Sequence, residues 1–138
     1  MNLKIHKSKI PNNLHMSKFP LYDSLSKDLP KKDLTPAQKR AFIKRVLKID
    51  KNGHDLVYAL IRMYQVENNE ENTSFTLPYN GIYVDGQNGQ SNQHRDINFD
   101  LETFPAYLKQ ILYKFLGAHL NKMKEEQSIA KQTPVKRV

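Results

Sequence analysis

The stretch that most constrains the fold is a short alternating segment that leads directly into a long apolar helix pattern. From Asp96 to Asp100 polar and apolar residues alternate, which is the period of a β-strand with Ile97 and Phe99 on one face. A strand of this length is marginal by itself. We therefore expect it to pair with another segment of the chain or with a partner.

Three helices are predicted from apolar residues that recur at steps of three and four. They run from Pro36 to about Lys48, from about Gly53 to Gln65, and from Pro105 to about Lys124. Their apolar positions are Phe42, Ile43, Val46, Leu47 and Ile49; then Leu56, Val57, Leu60, Ile61 and Tyr64; then Leu101, Phe104, Leu108, Ile111, Leu112, Phe115, Leu116, Leu120 and Met123. The predicted fold is mainly α.

Helix ends are indicated by capping residues. Thr35, Pro36 and Gln38 form a capping-box pattern at the first helix, and Asn52 is the expected cap of the second. The connection between these two helices is short, so we expect antiparallel neighbours in a three-helix bundle.

The long segment between the second and third helices contains a hairpin signal. Residues 74–77 and 82–84 have the composition of short strands around Asn80-Gly81, and Asn-Gly favours a tight hairpin turn. We expect a short β-hairpin here, which is able to pair with Asp96 to Asp100.

Charge divides the chain into three predicted parts: a basic, mostly extended arm at 1–33, a domain at 34–123, and a basic tail at 124–138. The net charge is +8, and the arm holds seven Lys/Arg against three Asp/Glu, whereas the domain holds eleven against nine. We expect little contribution of the arm to the core. Basic arms on a nearly neutral body suggest acidic partners, and a solvated tail is the alternative.

Within the arm, one stretch alternates aliphatic and basic residues and therefore has the pattern of a strand that adds to an acidic sheet edge. Its residues are Leu3, Lys4, Ile5, Lys7, Lys9 and Ile10. A disordered basic tail is the alternative interpretation.

No motif in the sequence indicates enzyme chemistry. The chain has no cysteine, and its five histidines lack zinc-ligand spacing. We expect no catalytic activity, no metal and no cofactor. Neither a signal peptide nor an apolar run of membrane-spanning length is present, so an intracellular, soluble protein is expected.

At this point residues 34–51 and 95–120 together resemble the extraterminal (NET) domain of bromodomain-and-extraterminal (BET) chromatin proteins. The matching features are Thr35 followed by Lys39-Arg40, the acidic alternating strand, and the triplet Glu102-Thr103-Phe104 that leads into the last helix. Asn98 departs from the family, which has an acid there. A stand-alone viral relative of that family would also suit the Lys- and Asn-rich composition.

The resemblance implies a protein-protein interaction module. Members of the family bind short segments of chromatin or transcription regulators, in which Lys or Arg alternates with aliphatic residues, by β-strand addition at the acidic strand. The implied peptide-binding residues are Asp96, Ile97, Asn98, Phe99, Asp100, Leu101 and Glu102. A nuclear location follows, or a virion or viral replication site for a viral relative.

Two other functions remain open. The basic side of the first helix and the basic arms favour nucleic-acid binding; the helix residues are Lys39, Arg40, Lys44, Arg45 and Lys48. Alternatively, the arm pairs with its own acidic strand or with that of a second copy, as in a self-associating structural or virion protein.

Overall fold

A computed structural model of the chain describes residues 1–8, 20–68, 77–84 and 94–132. This part of the chain contains helices and one three-stranded antiparallel sheet, and the predicted mainly α fold class is confirmed. The helices are α1 (Pro20–Leu25), α2 (Pro36–Lys48), α3 (Lys51–Glu67) and α4 (Ala106–Gln132), and the strands are β1 (Asn2–Ser8), β2 (Ile82–Tyr83) and β3 (His94–Asp100).

The first long helix, α2, begins and ends at the predicted residues, and its start is fixed by a capping box in its own sequence. Thr35 Oγ1 accepts a hydrogen bond from the Gln38 N–H at 3.1 Å, and Gln38 Oε1 accepts one from the Thr35 N–H at 2.8 Å. Such a cap contributes about 1 kcal/mol.

The prediction that Leu47 lies on the apolar side of α2 is wrong. Leu47 is 76% exposed, because its side chain is turned about 100° around the helix axis from the buried Val46.

The next helix, α3, is capped by Asp50 and not by the predicted Asn52. Asp50 Oδ1 accepts the Gly53 N–H at 2.8 Å, so the helix begins at Lys51. A side chain on Gly53 would clash, since a Cβ there would lie 2.9 Å from the His119 ring of α4. Gly53 therefore allows the first turn of α3 to approach α4 closely.

The last helix, α4, extends well beyond the predicted end at Lys124. It runs on to Gln132, because strong helix formers such as Glu125 and Glu126 follow and no Gly or Pro occurs between Lys124 and Gln132. Its buried apolar side chains belong to the hydrophobic core, and they are Leu108, Ile111, Leu112, Phe115 and Leu116. Lys109, Gln110 and His119 of the same helix are also buried, but they bond to polar groups of other segments.

The predicted strand at 96–100 is the central strand of the sheet. On one side β1 pairs with β3, with Leu3 opposite Phe99 and Ile5 opposite Ile97. On the other side β2 pairs with it, as expected for residues 82–84. Leu77 is not in a strand, and residues 74–76 of the predicted hairpin lie outside the described residues. β1 thus pairs along the whole of β3, whereas β2 pairs with the other edge at Ile97 and Asn98.

A tight turn at Pro78–Asn80 sets β2 against β3. Tyr79 and Asn80 have left-handed backbone with φ of 50° and 58°, and the Gly81 N–H donates to the Pro78 carbonyl at 3.0 Å. Two consecutive left-handed residues favour the twist of a hairpin. A Cβ on Gly81 would lie 2.6 Å from the Phe99 ring, so glycine is required for this approach.

The expectation that residues 1–33 add little to the core is wrong. Leu3 and Ile5 of β1 are 3% and 0% exposed, and Tyr22 and Leu25 of α1 are buried as well. The alternation in β1 places its aliphatic side chains on the inner face of the sheet, where the helices cover them. The arm is therefore a structural part of the fold.

This role of β1 predicts that Ile5→Ala lowers the free energy of unfolding by about 2 kcal/mol, since it leaves a cavity at a fully buried site. Leu47→Ala is the matched control, and we expect it to change stability by less than about 0.5 kcal/mol, because that side chain is exposed. Urea denaturation followed by circular dichroism measures both. Equal stability of Ile5→Ala and the original chain would mean that β1 is not docked in solution.

Candidate functional site

The candidate site is the groove beside β3 in which β1 lies. We call it the β1 groove and define it by Ile97 and Phe99 of β3 and His54 of α3. Both β3 residues are buried, and β1 contacts α3 and α2 in addition to β3. The ladder continues past the strand end, because the Leu101 N–H donates to the Met1 carbonyl at 2.7 Å.

On the outward face of this pair, cationic or polar groups of β1 contact one carboxylate of β3. His6 Nδ1 lies 2.7 Å from Asp96 Oδ1, and Lys4 Nζ lies 3.9 Å from Asp96 Oδ2. All three side chains are partly exposed, and ion pairs of this kind contribute little stability. The charges therefore fix register and favour basic residues in β1, while the buried aliphatic residues supply most of the stability.

The far edge of β1 is bound by α3. In an antiparallel ladder, backbone groups of successive residues face opposite sides, so the His6 N–H points away from β3. It donates to His54 Nδ1 at 3.2 Å. Burial, and then the nearby His6 ring, lower the pKa of His54. Sequence reasoning missed His54, because no pattern distinguishes it from a histidine in a solvated first turn.

The predicted peptide-binding residues are divided between several environments. Asp96, Ile97 and Phe99 lie at the β1 groove. Asn98 is exposed and lies between Lys4 and Ile82 in the ladder. Asp100 and Leu101 have structural roles. Asp100 Oδ1 accepts a hydrogen bond from the Glu102 N–H at 3.1 Å, and Leu101 is fully buried.

Glu102, also predicted to bind peptide, belongs to a separate charge cluster. We call it the Lys109 cluster and define it by Asp33, Lys39, Glu102 and Lys109. Lys109 is only 3% exposed, and its Nζ lies 2.9 Å from Asp33 Oδ2 and 3.4 Å from Glu102 Oε1. Lys39 Nζ approaches the same Glu102 oxygen at 3.0 Å.

The lysines of this cluster change the ionisation of both acids. A hydrogen bond from Lys39 is the main cause that lowers the pKa of Glu102, and Lys109 adds to it. Partial burial alone would raise the pKa of Asp33, but hydrogen bonds from Lys109 and from the Leu34 N–H outweigh it and lower that pKa. Charged contacts of the cluster thus connect Asp33, which precedes α2, with Lys109 of α4.

The residues proposed to contact nucleic acid fall into two groups. Lys39 is in the Lys109 cluster, and the Arg45 guanidinium lies 4.6 Å from the centroid of the Tyr113 ring. Arg40, Lys44 and Lys48 are exposed at steps of four, so they lie on one side of α2. Only the second group forms an outward basic row.

The self-ligand strand was predicted in the arm, and the structure places most of it in β1. Leu3, Lys4 and Ile5 make the contacts described above, and the backbone of Lys7 pairs opposite Arg95. Lys9 and Ile10 lie outside the described residues. The hypothesis that this segment pairs with the acidic strand of its own chain therefore agrees with the observed register.

Within the ranges that the structure describes, no cluster of three or more His, Asp or Glu side chains is arranged to hold a metal ion. In the same ranges, no helix has the length and apolar character needed to cross a membrane.

The Lys109 cluster predicts how stability depends on pH. A carboxylate whose pKa is lowered on folding stabilises the fold above its unfolded pKa, and that contribution is lost as the pH falls through the folded pKa. We expect the free energy of unfolding to decrease between about pH 5 and pH 3, with a smaller decrease in Lys109→Met. Lys122→Met, at an exposed position of the same helix, should keep the original pH profile. Identical profiles for all three proteins would contradict the assignment.

Comparison with known proteins finds no family model, no curated protein and no solved structure that matches this chain.

Proposed function

We propose that the chain is a protein-protein interaction module whose β1 groove binds a short basic and aliphatic segment as an added antiparallel strand. The observation that carries this proposal is the occupancy of the groove by β1. Leu3 and Ile5 enter it side by side with Ile97 and Phe99, and the intervening Lys4 lies outward. The chain's own segment supports a groove that accepts aliphatic residues alternating with basic ones.

Two kinds of contact would stabilise the added strand: backbone hydrogen bonds and buried aliphatic side chains. Backbone hydrogen bonds to β3 contribute about 0.5 to 1.5 kcal/mol each, and each buried aliphatic side chain contributes about 1.5 to 3 kcal/mol. The conformational entropy that a flexible segment loses on binding opposes these contributions. We therefore expect an affinity of about micromolar for an external segment at an empty groove.

The partners expected from the resemblance to the extraterminal family are segments of chromatin or transcription regulators, which would place the protein in the nucleus. Such a segment must replace β1, which is tethered to the body through residues 9–19. A tethered strand competes at an effective concentration on the order of millimolar. β1 therefore raises the partner concentration needed for binding, and exchange of β1 between two copies would give the self-associating form.

Nucleic-acid binding is the second candidate, and the exposed row Arg40, Lys44 and Lys48 is the observation that favours it. Lys39 and Arg45 are engaged within the chain, so fewer cations face outward than the sequence suggested. Three phosphate contacts give weak, salt-dependent binding without sequence preference. Peptide binding at β3 remains the better supported function.

The test of the peptide-binding proposal opens the groove in the full chain. Ile5→Asp places a charge at a fully buried position, so β1 should leave the groove. We expect a synthetic peptide of residues 1–10 to bind this variant at least about tenfold more tightly than the original chain, because the tethered competitor is gone. Amide shifts at Ile97 and Phe99 in a two-dimensional NMR titration measure the binding.

Two further substitutions in the Ile5→Asp chain identify the surface. Asp96→Lys should weaken binding of the peptide, because it replaces the carboxylate that faces Lys4 and His6. Lys44→Glu should leave peptide binding unchanged and reduce any binding of DNA. The proposal fails if the folded Ile5→Asp chain, verified by its helical circular dichroism, shows no shifts at Ile97 and Phe99.

A further inference from the structure

We propose that His54 binds the backbone of whichever strand occupies the β1 groove, and that protonation of its ring releases that strand. For an external segment this inference rests on the proposed function. For β1 it stands on the observed geometry. His54 would then determine both which segments fit the groove and the pH at which the groove opens.

The contact that carries this inference is independent of the side chain on the bound strand. His54 Nδ1 accepts a hydrogen bond from a backbone N–H, that of His6, at 3.2 Å. Any antiparallel strand in the same register presents a backbone N–H at this position. Proline is the exception, because it has no N–H. The groove should therefore reject a segment with proline opposite Asp96.

Protonation removes this contact. A neutral imidazole has one nitrogen that accepts, whereas an imidazolium has an N–H on both nitrogens. In the protonated ring, the Nδ1 hydrogen of His54 would face the N–H of His6, so an attractive contact becomes repulsive. In addition, the half-buried His54 ring is less well solvated when β1 is docked, and this disfavours its charged form.

Several charged groups surround the His54 ring, and they act in opposite directions. Asp96 of β3 and Asp50 and Asp55 at the start of α3 favour the protonated ring, whereas burial and the His6 ring of β1 oppose it. Burial is the largest of these effects, and the pKa of His54 is lowered. When β1 leaves the groove, burial of the His54 ring decreases and the His6 ring moves away, so both effects that oppose protonation become weaker.

The direction of the pH dependence follows from this difference. The docked state holds His54 at a pKa below the ordinary value of about 6.5, so docking is strongest above that value. It weakens as the pH falls below about 6.5, because the released state takes up the proton more readily. The His6 ring makes a different contact, because its Nδ1 lies 2.7 Å from Asp96 Oδ1 and not against a backbone N–H.

Hydrogen exchange of the full chain measures this opening without any added peptide. Amide protection is followed by NMR at pH 7.5 and 5.5 and corrected for intrinsic exchange rates. The Ile5 amide reports on docking of β1, and the Leu112 amide in α4 reports on the whole fold. We expect protection of Ile5, relative to that of Leu112, to fall about threefold to tenfold at the lower pH, the range for one lost hydrogen bond.

Two variants assign the effect to one histidine. His54→Asn keeps an acceptor oxygen near the position of Nδ1 and does not titrate, so its Ile5 protection should be the same at both pH values. His6→Asn removes the other ring of the pair. It should weaken docking at both pH values and retain the acid-induced decrease.

Each outcome supports or overturns the inference. Constant Ile5 protection in the original chain, an equal decrease in His54→Asn, or loss of the decrease in His6→Asn overturns it. If His54→Asn fails to fold, as shown by lost Leu112 protection, the original chain and His6→Asn decide the question. A chain that shows this response but binds no external peptide would retain the β1 mechanism and overturn the proposed function instead.

Discussion

The structure depends on the pairing of one short strand, β3, with a neighbouring strand on each side. β3 exposes N–H and C=O groups on two sides, and unpaired groups of this kind invite pairing with another chain. This chain supplies β1 on one side and β2 on the other. Once the strand is held, Phe99 packs against Phe104 at a centroid distance of 5.5 Å, and this contact joins the sheet to the start of α4.

The two neighbours of β3 are attached in different ways. β2 is two residues long and is fixed by the adjacent turn, in which Gly81 touches Phe99. β1 is longer, and it is held by the ladder with β3 and by the backbone contact to His54. In the proposed binding mode β1 opens locally while the helices stay folded, because local openings cost less than global unfolding. The edge paired with β1 is the edge at which we propose that a partner binds.

Sequence reasoning succeeded where the signal is local. The capping box of Thr35 and Gln38 fixed the start of α2, and the alternation at Asp96 to Asp100 identified β3. It failed where the answer depends on distant contacts. The six residues of α1 are too few to show a helical period. The structural roles of Glu102 and His54 depend on Lys39 and His6, which are far away in the sequence.

Asn98 is uncharged, and this bears on the recognition that we propose at the β1 groove. Lys4 lies opposite Asn98 in the ladder, yet its Nζ reaches diagonally to Asp96 at 3.9 Å. His6 contacts the same carboxylate, so a single acid serves both the Lys4 and the His6 side chains. One partly exposed carboxylate provides limited selectivity. Under the proposed function, shape at the buried positions of Leu3 and Ile5, together with the backbone contact to His54, would therefore account for most of the discrimination between segments.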